Sequence, residues 1–258
     1  MSLKYYTHGH RDQMKVALTF DDGPNPPRTD QVMEILNRKG VRGTFFVLGK
    51  WVERWPQAFE RMAQSGHVIG NHSYSHQAHV GDFDQAEAVI ANILGRPTKF
   101  LRAHYLNFFT CLYSPVAMSD DMRIVDADVN PADYAKTDAQ SIIDATLKAP
   151  SLAGGSIIDL HDSTEIDDDA MRLARPLPMI EALPSIIDEL QARGFELVGL
   201  DEMELDDPIV WNADDRGRIA SPQMRSEIYS HFSGSSRTGE TKSVNPPLDA
   251  FVAVKIFP

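Results

Sequence analysis

Val16-Ala17-Leu18-Thr19-Phe20-Asp21-Asp22-Gly23-Pro24 is a short apolar run that stops on two adjacent carboxylates and a Gly-Pro turn. A run of this length, bounded by turn residues, reads as a buried strand. Six later runs share its character: Thr44–Leu48, His67–Gly70, Lys99–Arg102, Arg123–Val129, Ser156–His161 and Phe195–Leu200. Amphipathic stretches separate them, at Asp30–Lys39, Pro56–Ser65, Phe83–Leu94, Ala139–Lys148 and Ile180–Arg193. Gly40, Gly66 and Gly194 close three of these, where a helix wants a left-handed residue. The helical pattern is weakest between the fourth and fifth runs. Strand–helix alternation predicts a parallel sheet. Seven such units favour a distorted (β/α) TIM-like barrel of about seven parallel strands over a doubly wound sheet. No Gly-x-Gly-x-x-Gly follows the first run, which also disfavours a dinucleotide fold.

The chain of 258 residues, 42% hydrophobic, suits one such barrel with a large core. Residues 1–205 are expected to form it. Residues 206–258 break the alternation: 206–248 are polar, then Phe251–Phe257 reads as a strand. This segment is expected to be an appendage packed on the barrel or on a partner subunit, and a homo-oligomer is left open. A formal charge of −12 argues against nucleic acid and anionic lipid as partners. It suits a neutral or cationic ligand. The single Cys111 excludes an internal disulfide. No stretch approaches the ~20 apolar residues of a membrane span, and residues 1–8 show no signal core. A cytoplasmic protein is expected as the chain stands, and a secreted or periplasmic one if a leader precedes it.

Polar groups gather at the C-terminal ends of the expected strands: Asp21 and Asp22, Asn71 and His72, Arg102, Asp126 and Asp128, and His161. Barrel enzymes carry their chemistry at that end. Asp22, His72 and His76 offer one carboxylate and two imidazoles, a set that suits zinc or a similar divalent metal. His72 and His76 are four residues apart, so one helical turn or a compact loop can aim both inward. Three protein ligands leave positions open for water.

Thr19-Phe20-Asp21-Asp22-Gly23-Pro24 resembles the first motif of the polysaccharide deacetylases (the NodB-homology domain, carbohydrate esterase family 4). Gly70-Asn71-His72-Ser73-Tyr74-Ser75-His76 resembles the second, and Thr44-Phe45-Phe46-Val47-Leu48-Gly49 also fits. The likeness covers roughly residues 14–204. It implies a distorted (β/α) barrel, in agreement with the strand count, and a hydrolase that removes acetyl from an N-acetylated sugar. By resemblance Asp21 is the general base and Asp22, His72 and His76 hold the metal. Neighbouring residues leaving a strand point apart, so one carboxylate can ligate while the other faces water.

Gly155-Ser156-Ile157-Ile158-Asp159-Leu160-His161-Asp162 resembles the fifth motif, whose His is the general acid, here His161. An amine leaves poorly unless protonated. The third motif, Arg-Pro-Pro-Tyr/Trp-Gly in the family, reads Arg102-Ala103-His104-Tyr105-Leu106. The resemblance makes Arg102 the residue that orients Asp21, and the Tyr105 N–H an oxyanion donor. His104 replaces a proline and is either a cleft residue or an ordinary rim histidine. In the fourth motif, Val125 to Tyr134, Asp128 is expected to pair with His161 and raise its pKa, with Asp126 the alternative. Asp159 stands where the family has leucine against the acetyl methyl. It either binds a polar or cationic part of another substrate or pairs with an arginine. Two other functions therefore stand beside sugar deacetylation: an amidase or esterase of a different small acylated compound, and a non-catalytic glycan-binding relative. Intact Asp21, Asp22, His72, His76 and His161 argue against the last.

Overall fold

A computed structural model describes residues 2–77, 79–103, 111–164, 166, 168, 170 and 177–212. In chain order it contains β1 (Ser2–Tyr6), β2 (Lys15–Gly23), α1 (Arg28–Lys39), β3 (Thr44–Val47), α2 (Gly49–Arg54), α3 (Pro56–Gln64), β4 (Val68–Asn71), α4 (Asp82–Leu94), β5 (Phe100–Leu101), β6 (Arg123–Val125), a 3-10 turn (Asp133–Ala135), α5 (Ala139–Leu147), β7 (Ile157–His161), α6 (Pro178–Ala192), β8 (Glu196–Val198), a second 3-10 turn (Leu200–Glu202) and β9 (Ile209–Asn212).

The strands form one curled sheet in the order β7-β2-β3-β4-β5-β6-β1-β9, with β8 paired to the first residues of β2. All pairings are parallel except β1 with β9. Past β6 the chain runs on to Val129, which bridges to Ile158 of β7 in parallel. The chain that continues β6 thus touches β7 at one bridge, and the curled sheet is consistent with the expected distorted barrel. All seven expected strands are present.

Period-two alternation sorts β2 into two faces. Val16, Leu18 and Phe20 pack outward with Val32 and Leu36 of α1 and Ile186 and Leu190 of α6. Ala17 packs inward with Phe46, Phe100, Val125, Ile157 and Val198. Burial on both faces explains why the strand is apolar almost throughout. In β7, Ile158 and Leu160 belong to the outer layer and Ile157 to the inner one. The inward columns are therefore Ala17-Thr19-Asp21 and Ile157-Asp159-His161, apolar at the bottom and charged at the mouth. Gly70 lets Phe46 fill the interior, since a Cβ at Gly70 would sit 2.5 Å from the Phe46 ring. Gly40 closes α1 in the left-handed region (φ 66°) as expected.

Three elements lack a sequence signal. The helix α2 has six residues, too few for a 3.6-residue period to show. Strand β1 buries Leu3 and Tyr5 in a terminus that reads as polar. Strand β9 shows that residues 209–212 continue the sheet, antiparallel to β1. The strand expected over Phe251–Phe257 lies outside the described residues. Among the described residues no helix is long and apolar enough to cross a membrane.

Candidate active site at the C-terminal mouth of the barrel

Strand β2 delivers Asp21 and then turns sharply: Asp22 has φ 74°. Strand β4 delivers Asn71 and His72, and the loop that follows brings back His76 with Ser73 and His76 also at positive φ (75° and 63°). Such conformations cost non-glycine residues energy and persist only where surroundings enforce them. Here Asp82 does much of the enforcing: its carboxylate accepts from the Ser75 N–H at 3.2 Å and the Ser75 hydroxyl at 2.9 Å. Its carbonyl accepts from the Tyr74 N–H, and Asn71 Oδ1 accepts from the Ser73 N–H.

The loops converge. One donor atom each from Asp22, His72 and His76 lies within 4.8 Å of the others. His72 Nδ1 donates to the Arg102 carbonyl at 2.8 Å. That bond fixes the tautomer and turns Nε2, the lone-pair nitrogen, to Asp22 Oδ1 at 3.8 Å. His76 Nε2 is 3.6 Å from the same oxygen. Asp22 Oδ1 is buried and, among the described residues, accepts no hydrogen bond. An uncompensated buried carboxylate oxygen facing two imidazole nitrogens is costly in itself and well matched to a divalent cation. The donor set therefore fits a metal.

Asp21 sits beside this trio, with Oδ2 3.5 Å from His72 Nε2. Its Oδ1 accepts from Arg102 Nη1 at 2.9 Å. Arg102 is 3% exposed and lies 4.3 Å over the Phe46 ring. The same Nη1 also reaches Thr19 Oγ1 at 2.7 Å and Asp159 Oδ1 at 3.4 Å. Burial pushes the Asp21 carboxyl well above the ordinary carboxylate range, and the Arg102 cation pulls the other way.

On the neighbouring strand β7, His161 Nδ1 donates to Asp133 Oδ1 at 2.9 Å, and Asp133 Oδ2 accepts the His161 backbone N–H at 2.9 Å. Burial lowers the basicity of this imidazole. The carboxylates of Asp133 and Asp159 outweigh it, and the His161 pKa stands well above 6.5. The exposed Tyr134 ring meets His161 edge-on at 5.2 Å.

A family model described as "Polysaccharide deacetylase" matches residues 8–112. The chitooligosaccharide deacetylase of Azorhizobium caulinodans is 32% identical over 198 residues, spanning 72% of this chain and 93% of that protein. The chain belongs to the polysaccharide deacetylase family. Among solved structures, the Bc1960 peptidoglycan N-acetylglucosamine deacetylase, in complex with a naphthalenyl N-hydroxybenzamide, has 29% identity and a TM-score of 0.68. The match covers 78% of this chain and 93% of that one. A family 4 acetyl xylan esterase from Clostridium thermocellum, in complex with a cobalt ion, has 33% identity and a TM-score of 0.59, covering 72% and 88%.

For this polysaccharide deacetylase family member, the structure brings Asp21, Asp22, His72, His76, Arg102, Asp159 and His161 together at one mouth. It does not bring Asp128 there. Asp128 accepts from Ile157 N–H at 2.7 Å, Arg11 Nη2 at 2.8 Å and Ser156 Oγ at 3.0 Å. It ties the start of β7, and the carboxylate expected on His161 comes from Asp133 instead. Asp126 is not that partner either: it accepts from the Tyr5 hydroxyl. Asp159 does pair with an arginine, Arg102 Nη1 at 3.4 Å, with Asn130 Nδ2 as a further donor at 2.9 Å. His104 and Tyr105 lie outside the described residues. Asp133 left only a faint sequence signal, an acidic residue before the tyrosine that stands in the fourth motif's tryptophan position.

Proposed function

We propose that the chain is a metal-dependent deacetylase that removes an acetyl group from an N-acetylated sugar or oligosaccharide. The observation that carries this reading is the meeting of three metal-type donors with two acid–base groups on neighbouring strands, each held by its own charged partner. Asp22, His72 and His76 would hold the metal, zinc in this reading. Bound there, a divalent cation would supply Lewis-acid polarisation of the acyl oxygen and of a water.

The protein's own groups do the rest. Asp21, held by Arg102, takes a proton from the attacking water. His161, kept protonated by Asp133, gives a proton to the departing amine, so the C–N bond breaks to an amine rather than to an unstable anion. The Tyr105 N–H, by family resemblance, would steady the oxyanion.

Acetate release from chitooligosaccharides, set beside a panel of other amides and esters, tests the proposal. Turnover of the sugars with zinc restored is the expected result. Turnover confined to non-sugar amides or esters would replace it with the alternative amidase or esterase activity. Sugar binding by a metal-loaded protein without any turnover would make it a glycan-binding relative.

A further inference from the structure

The register of the barrel places a second layer directly beneath the reacting groups. Asp21 of β2 pairs with His161 of β7, and two residues deeper Thr19 pairs with Asp159. Parallel strands keep side chains two residues apart on the same face. Asp159 therefore forms the floor below the Asp21–His161 pair. One atom each from Asp21, Asp159 and His161 lies within 4.8 Å of the others.

This floor is polar. Asp159 Oδ1 faces Arg102 Nη1 at 3.4 Å, a long contact shared with two stronger ones. Its Oδ2 accepts from Asn130 Nδ2 at 2.9 Å. Asn130 is exposed, and the Asp159 side chain keeps 13% of its surface accessible. A carboxylate has room for about four acceptor contacts. Asp159 thus retains acceptor capacity on a surface that a ligand can reach.

An oligosaccharide is too large to enter a filled barrel, so the sugar stays outside and the tip of the acyl group points inward, to the floor. A methyl tip there would strip water from Asp159 and return no hydrogen bond. A tip carrying a hydroxyl would donate to it. We propose that Asp159 makes this site selective for a hydroxyacyl group, glycolyl in its smallest form, over acetyl. This rests on the amide-hydrolase reading above. The reaction adds water across the amide: its oxygen joins the acyl carbon, the C–N bond breaks, the amine gains a proton and glycolate leaves.

The test compares kcat/KM for N-glycolyl and N-acetyl chitotriose in the zinc-loaded wild type and in Asp159→Leu. It also compares binding of both sugars to the Asp21→Asn protein by calorimetry. The expected wild-type preference for glycolyl is at least about tenfold, since sites built to bond a hydroxyl discriminate strongly against its absence. Asp159→Leu should reverse that preference. If the variant fails to fold, the wild-type ratio decides alone. Equal or acetyl-preferring turnover in the wild type overturns the selectivity and leaves the hydrolase reading standing. Tighter binding of the glycolyl sugar with no turnover of either upholds the selectivity and removes the hydrolase reading. Neither binding nor turnover overturns both.

Discussion

Asp21 and His161 are register partners on neighbouring parallel strands, β2 and β7, so the proposed base and the proposed acid face the same gap at the same height. Neither owes its place to a loop. Each is an inward residue of a strand anchored two layers down in packed core, by Ala17 in β2 and Ile157 in β7. The separation is thereby set by sheet spacing, the most rigid dimension available.

Replacing Asp21 by Asn keeps shape and removes the proton acceptor. Turnover should fall by at least about 10²-fold, while zinc content measured by atomic absorption stays near one per chain, as the proposed ligand set predicts. Persistent turnover would mean that another group is the base.

Asp133→Asn should act through His161. As the proposed general acid, His161 works only while protonated, so activity should be lost as pH rises through its pKa. Removing the Asp133 charge lowers that pKa and should move the basic limb of the kcat/KM profile to lower pH, with a lower plateau. An unmoved basic limb would separate Asp133 from the acid.

Asp128→Ala should leave that limb in place. Its cost is structural, about 2–3 kcal/mol by urea melts, because the Ile157 N–H and the Arg11 guanidinium lose their acceptor. Loss of turnover in a protein of unchanged stability would restore Asp128 to the catalytic group.

Chelation should abolish turnover and lower the Tm, and added zinc should restore both, because a ligand bound only by the folded state stabilises it. In His72→Ala the Tm should no longer respond to zinc. A Tm that still rises in this variant would place the metal elsewhere.

His67 supplies a pH dependence away from the site. It is buried against Phe45, and its Nδ1 accepts the Gly43 N–H at 3.3 Å. Burial, helped by the Arg42 charge, lowers its pKa to about 4. An unfolded histidine titrates near 6.5. Between these values the unfolded chain binds more protons, so this contribution is complete above pH ~6.5 and drains away as pH falls toward ~4. Urea melts across that window should show wild type losing up to about 3 kcal/mol more than His67→Gln. Parallel losses would show that His67 is not the titrating group.

Much of this was legible in the sequence because period-two patterning fixes which way a strand residue points. Alternation puts Asp159 on the same face as His161, and the structure has both in one inward column. Height was harder to read. Asp128 does flank the right strand, but the Val129–Ile158 bridge sets it level with Ile157, four residues and roughly 13 Å below His161. Only pairing register reveals that, and register between distant strands is not written in either strand. Asp133 comes from a 3-10 turn entered through Ala132 at φ 52°, a local conformation with no periodic signature. The divergent residues of the third motif hid nothing about Arg102, whose charge at a strand end was sufficient to mark it.

Strand β9 closes a practical question. The alternation of strands and helices ends near residue 205, which makes that point an inviting place to stop an expression fragment. Yet Ser2, Leu3, Lys4 and Tyr5 each lie opposite a residue of 209–212. A fragment cut at 205 would leave β1 with a bare backbone edge, open to pairing with the next molecule. Domain swaps or fusions that keep the barrel should therefore carry the chain through Asn212.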